Sequence, residues 1–98
     1  MAEVKTEPVK AQRVEDIDQH DQPGVFEYYR HGERYPAGMI YICPCGCSNL
    51  GTLAFRPIMH GGPSWEWDGN IEEPTLHPSV HTPGHWHGWL KKGIWTSC

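Results

Sequence analysis

Residues 39–50 read MIYICPCGCSNL, and this stretch decides the fold. Met39–Ile42 is rich in residues that favour β-strands, and Leu50–Phe55 has the composition of a second strand. Three alternate cysteines lie between the two strands, and Gly46 gives the backbone the freedom to turn tightly among them. The pattern therefore predicts a β-hairpin whose tip, Cys43–Asn49, is a metal-binding knuckle.

Thiol and imidazole side chains later in the chain enlarge the set of candidate metal ligands to six. These candidates are Cys43, Cys45, Cys47, His85, His87 and Cys98. Zinc takes about four ligands of this kind in a tetrahedron. The predicted set is two of the three clustered cysteines, then His87, then either His85 or Cys98. Alternate residues of a strand face the same side, so both histidines are expected on one face. The competing interpretation is a group of ordinary buried thiols and surface histidines.

The composition predicts a small all-β fold held together by metal. The chain has 98 residues, of which 11 are glycine and 9 are proline, and this density favours turns and short strands over helices. A domain of this size buries a low fraction of its surface and often needs a covalent or metal staple. The expected architecture is a set of zinc-ribbon-like β-hairpins that form one compact metal-stapled sheet. Further strands are predicted at Val25–Arg30, Ser64–Trp67, His85–Leu90 and Ile94–Cys98, with a three-residue loop between the last two.

Charge and apolar content change near Pro23-Gly24, which predicts a boundary there. Residues 1–24 carry three basic and six acidic side chains, and they have no apolar stripe. Residues 1–23 are therefore expected to form a flexible acidic tail, and residues 24–98 a zinc-binding β-domain. A weak helix over Val9–Asp18 is the alternative for the tail.

Apolar content and net charge also indicate the expected cellular compartment and the class of partner. No apolar leader or membrane-spanning run is visible, so a cytoplasmic protein with reduced thiols is expected. The formal net charge is −4, and no basic patch suits phosphate binding, which argues against a nucleic-acid partner. A protein partner is expected instead. The sequence leaves the oligomeric state open.

Three blocks of sequence carry a resemblance to a known family. Residues 41–47 read YICPCGC, residues 63–70 read PSWEWDGN, and residues 74–80 read PTLHPSV ahead of HWHGWL at 85–90. The chain resembles a small bacterial and phage domain family of unknown function, whose phage members often bear the label ammonia monooxygenase. For a phage member, the resemblance implies the host cytoplasm and a host protein partner. Relatives near genes for bacterial ubiquitin-like conjugation imply an adaptor role.

The resemblance also bears on the metal ligands. Related bacterial domains carry Cys-x-x-His before the last hairpin, where this chain has Gly84 in the cysteine position and His87 in the histidine position. The resemblance thus implies that His85 or Cys98 replaces the missing ligand.

The function favoured by the sequence is a structural-zinc binding module that acts through protein–protein contacts. No catalytic residue is predicted, and enzymatic activity is the less favoured interpretation. The first alternative is a zinc-dependent hydrolase, which would need three ligands, an open position for water and a base. The second is a nucleic-acid-binding zinc ribbon that uses its aromatic residues. Ammonia monooxygenase activity is not supported, because that activity belongs to a large membrane-embedded copper assembly.

Overall fold

The computed structural model describes residues 5–30, 36–56 and 63–98, and it confirms a small, almost entirely β protein. One 3₁₀ turn, Ile17–Gln19, is the helical element in these ranges, where no helix is long and apolar enough to cross a membrane. The strands are β1 (Val9–Lys10), β2 (Phe26–Tyr29), β3 (Gly38–Ile42), β4 (Leu50–Ala54), β5 (Glu66–Trp67), β6 (Leu76–His77), β7 (Val80–Thr82), β8 (Trp86–Lys91) and β9 (Ile94–Ser97).

The strands form three antiparallel sheets rather than the single sheet predicted from sequence. The largest has four strands in the order β1-β9-β8-β7, the second has the order β2-β3-β4, and β5 pairs with β6. The sheets are joined through shared side-chain packing, and parallel bridges such as Phe55 with Trp65 connect their ends. A chain so rich in proline and glycine breaks its strands often, which explains the division into several short sheets.

The two predicted hairpins are present, with one change in loop length. β3 and β4 pair from Gly38 with Ala54 to Ile42 with Leu50, which confirms the hairpin around the cysteines. β8 and β9 pair up to Lys91 with Ile94, so two residues form the loop, and the prediction of three is wrong. Both loop residues have positive φ angles, which is the conformation of a tight hairpin turn whose twist matches that of the strands.

The core combines aromatic and aliphatic side chains, and all three sheets contribute to it. Trp86 and Trp95 are completely buried, and their rings meet edge to face at 5.7 Å. The indole N–H of Trp95 donates a buried hydrogen bond to the backbone oxygen of Gly24 at 3.0 Å. Burial alternates along β8, where Trp86, Gly88 and Leu90 are buried and the residues between them are half-buried. Two faces are thereby defined, and the outer one carries His87.

Part of the segment predicted as a flexible tail packs against the domain in the structure. Strand β1 pairs with β9, and the backbone N–H of Ala11 donates to the oxygen of Gly93 at 2.8 Å. Ala11 and Ile17 are buried. A two-residue strand has too little periodicity to be recognised from sequence, and its pairing with β9 satisfies backbone groups that would otherwise form an open sheet edge. The division of the chain at residue 24 stays a prediction.

Candidate functional site: a cysteine cluster and a serine–histidine pair

The knuckle between β3 and β4 is a tight backbone turn that gathers three thiols. The N–H of Gly46 donates to the oxygen of Cys43 at 3.2 Å, and the N–H of Cys43 donates to the oxygen of Asn49 at 2.9 Å. Gly46 has a φ of 92° and Ser48 a φ of 69°, so the chain reverses through two left-handed residues. The short side chain at Ser48 and the absence of one at Gly46 make this turn feasible.

The three sulfur atoms lie within 4.8 Å of one another. The Sγ atoms of Cys43 and Cys45 are 3.3 Å apart, and Cys45 Sγ is 3.8 Å from Nδ1 of His85. Sulfur ligands of a tetrahedral zinc ion, with bonds of about 2.3 Å, are separated by about 3.8 Å. The cluster therefore fits the spacing of a metal site and could hold a metal ion, with His85 as the nearest imidazole.

The cluster contains thiols in contrasting environments. Burial raises the pKa of Cys43 to about 12, because the charged thiolate would lose its hydration. The pKa of Cys47 is lowered, chiefly because the backbone N–H of Asn49 donates a hydrogen bond to its sulfur. Metal binding requires the deprotonated thiolate form of each cysteine. The positive charge of a bound divalent cation would stabilise the thiolate of Cys43, which burial alone disfavours.

His85 and His87 were expected on one face of a strand, and the structure gives them different neighbours, Cys45 for His85 and Ser79 for His87. The N–H of His85 donates to the oxygen of Thr82 at 2.9 Å, which closes a turn that includes Gly84 with a φ of 77°. His85 therefore precedes β8, and the alternation rule for strands does not apply to it. His87 lies within β8 and points toward a different set of residues.

His87 forms a hydrogen-bonded pair with Ser79. Its Nε2 atom lies 3.1 Å from Ser79 Oγ, and its ring lies against that of His81 with centroids 4.7 Å apart. His81 is the cross-strand partner of His87 in the pairing of β7 with β8. Both Ser79 and His87 are half-buried. A serine hydroxyl at this distance from an imidazole can give up its proton to that ring, which is the arrangement of an activated nucleophile.

The remaining predicted residues lie elsewhere. Cys98 is exposed, and its backbone N–H donates to the oxygen of His87 at 3.0 Å, outside the group of thiols that could hold a metal. Of the six candidate ligands, the structure brings together the three clustered cysteines and His85.

Ser79 is the site residue that the sequence did not reveal. Serine is common, and the interval from Ser79 to His87 matches no familiar motif. Recognition of Ser79 would have needed a predicted strand at Val80–Thr82, because the hairpin of β7 with β8 brings the residues on either side of its turn together.

One family model matches most of the chain. The model described as bacterial ubiquitination-like system serine protease (BubE) matches residues 13–98. No curated protein and no solved structure matches the chain. The match agrees with the predicted resemblance to a small bacterial domain family, and the description mentions neither phages nor ammonia monooxygenase.

Proposed function

This chain belongs to the BubE family, and from that premise we propose that it is a serine peptidase with Ser79 as nucleophile and His87 as general base. The observation that carries the proposal is the distance of 3.1 Å between Ser79 Oγ and His87 Nε2. Among other serines, Ser64 Oγ accepts from Arg56, and Ser97 Oγ accepts from the backbone N–H of Thr6. Neither of these has an imidazole as the partner of its hydroxyl.

The chemistry follows that of other activated serines. Ser79 Oγ attacks the carbonyl carbon of the scissile amide while its proton moves to Nε2 of His87. The tetrahedral intermediate collapses as His87 returns that proton to the leaving amine, and an acyl ester on Ser79 remains. Water then attacks the ester with His87 again as the base, which releases the second product and restores the serine.

The pair works as a dyad among the residues that the structure describes. No carboxylate in those ranges contacts the His87 ring, which has His81 as its neighbour. His87 is held by its place in β8, between β7 and β9, and its backbone oxygen accepts from Cys98. A base fixed within a sheet needs less help from a third side chain to keep its orientation.

The cysteine cluster has a structural role in this proposal. Cys43, Cys45, Cys47 and His85 would hold a zinc ion, since thiolate with imidazole favours zinc over hard cations. Four protein ligands leave no position for a reacting water, as is typical of structural sites. The ligands come from the β3–β4 hairpin and from the turn before β8. A shared ion would thus fix the turn that precedes the strand of His87.

The alternatives predicted from sequence give different outcomes. A zinc-dependent hydrolase would need an open metal position and a base beside the metal, whereas the described cluster consists of thiols. A module that only binds other proteins would have no use for an activated serine. A peptidase acts on a protein, so in this proposal the protein partner predicted from sequence is the substrate.

A fluorophosphonate probe tests the proposal without knowledge of the substrate, because such probes react with activated serines. We expect one adduct on the intact protein, mapped to Ser79 by peptide mass. Ser79→Ala should abolish the adduct, and His87→Ala should slow its formation by about 100-fold or more. Ser64→Ala is the matched control and should react as the wild type does. An unreactive wild type, or an adduct that persists in Ser79→Ala, would refute the peptidase and favour the binding module.

A further inference from the structure

We propose that Trp65 is a positioning residue for the nucleophile, a role that rests on the proposed peptidase function. The indole N–H of Trp65 donates to the backbone oxygen of Ser79 at 3.2 Å. This bond joins the residue that would attack the substrate to a side chain 14 positions earlier in the chain.

Ser79 needs such support because of where it lies. Strand β6 ends at His77 and β7 begins at Val80, so Ser79 belongs to neither strand and follows Pro78 in the short link between them. Proline has no N–H with which to fix the link by a backbone bond. The carbonyl of Ser79 instead takes its hydrogen bond from the Trp65 side chain.

Trp65 is itself held firmly enough to serve as an anchor. Its backbone N–H donates to the oxygen of Ala54 at 2.8 Å, and its oxygen accepts from the N–H of Arg56 at 2.9 Å. The two bonds straddle Phe55, which is buried and forms a parallel bridge with Trp65. The indole is half-buried and packs against the main core. The position of the Ser79 backbone is thereby coupled to the end of β4, across two sheets.

The contact has a direct consequence for reactivity. A hydroxyl attached to a poorly fixed backbone spends less time at hydrogen-bonding distance from its base, and a displacement of about 1 Å can cost up to about 100-fold in rate. Loss of the indole donor should therefore affect the chemical step more than substrate binding.

The chain offers a matched control at Trp67. Its indole N–H also donates to a backbone oxygen, that of Asn70, at 3.3 Å. Trp67 lies two residues from Trp65, and its ring stacks on Phe55 at 5.1 Å. Trp67→Phe thus removes an equivalent indole hydrogen bond where no nucleophile is attached, whereas Trp65→Phe removes the one on Ser79.

The experiment compares both variants with the wild type by three measurements at one pH. These are the rate of fluorophosphonate labelling at Ser79, the thermal midpoint, and the ¹⁵N shift of His87 Nε2, assigned with His87→Gln. We expect Trp65→Phe to label about 10-fold more slowly and to shift the Nε2 resonance, as the hydrogen bond to Ser79 loosens. Trp67→Phe should lower the midpoint by a similar amount and leave the other two readouts unchanged.

The outcomes separate this inference from the peptidase proposal. If the wild type labels and both variants slow equally, Trp65 has only a structural role and the inference is wrong. An unchanged His87 resonance in Trp65→Phe leads to the same conclusion. If the wild type fails to label but Trp65→Phe alone shifts the resonance, the peptidase proposal is wrong and the positioning of Ser79 by Trp65 stands.

Discussion

The cysteine knuckle and the β7–β8 hairpin show two ways to assemble a site on one small chain. The knuckle takes its three thiols from five consecutive residues, and a single turn brings them together. The serine–histidine pair takes its members from either side of a turn, and the register of β7 with β8 brings them together. The first site depends on the local geometry of one turn, whereas the second depends on strand pairing and on the packing behind it.

The largest effect should follow from removal of the metal, because the knuckle and the hairpin are linked through Cys45 and His85. We expect Cys45→Ala to lose the bound metal and the fold. Structural zinc contributes on the order of 10 kcal/mol in small domains, which exceeds the total stability of many of them. Metal analysis and circular dichroism, with Cys98→Ala as the control, check this. A folded Cys45→Ala protein would mean that the knuckle is dispensable.

Alanine variants of His85 and His87 should distinguish the cysteine cluster from the serine–histidine pair most clearly. His85→Ala is expected to weaken metal retention and to lower the thermal midpoint. His87→Ala is expected to keep the metal and the midpoint while fluorophosphonate labelling falls by about 100-fold or more. Metal content and labelling rate are measured on both variants. Loss of metal from His87→Ala, with retention in His85→Ala, would restore the ligand assignment implied by the family resemblance.

A smaller effect is expected at His81, whose ring lies beside that of His87. Ring contacts of this kind contribute about 0.5–1.5 kcal/mol. His81→Ala should therefore slow labelling about 3- to 10-fold through a less restricted His87 ring. His77→Ala, an exposed histidine on β6, is the comparison and should have no effect. If His81→Ala slowed labelling as much as His87→Ala does, His81 would take part directly in the catalysis.

The smallest effect concerns two glycines with similar backbones. Gly46 and Gly69 have φ angles of 92° and 86°, and an added Cβ meets nothing within 4 Å at either position. Alanine should cost each turn about 1 kcal/mol through its backbone conformation alone. Chemical denaturation should show similar decreases in the free energy of unfolding for Gly46→Ala and Gly69→Ala. Only Gly46→Ala should release metal more readily to a chelator. Equal release from both variants would show that the knuckle backbone does not set metal affinity.

The sequence predicted the cysteine hairpin from residues that are neighbours in the chain, and it missed the turn at His85, the role of Ser79 and strand β1. The knuckle could be inferred because Cys43, Cys45 and Cys47 lie so close in the chain, and strand propensity on either side marked the hairpin. The turn that removes His85 from β8 was missed, because the alternation rule was extended past the end of the strand. Ser79 was missed because its significance comes from its neighbour across the hairpin, and β1 because two residues carry no periodicity.

The number of residues in the turn from Thr82 to His85 determines the surroundings of the three side chains at 85–87. His85 lies beside the thiols, Trp86 fills the core, and His87 faces Ser79, so three successive side chains have three different surroundings. A shift of one residue would bring a histidine into the place of Trp86 and turn the tryptophan outward. Substitutions in the turn should therefore be tolerated far better than a one-residue insertion or deletion, which would disrupt the cysteine cluster, the core and the Ser79–His87 pair together.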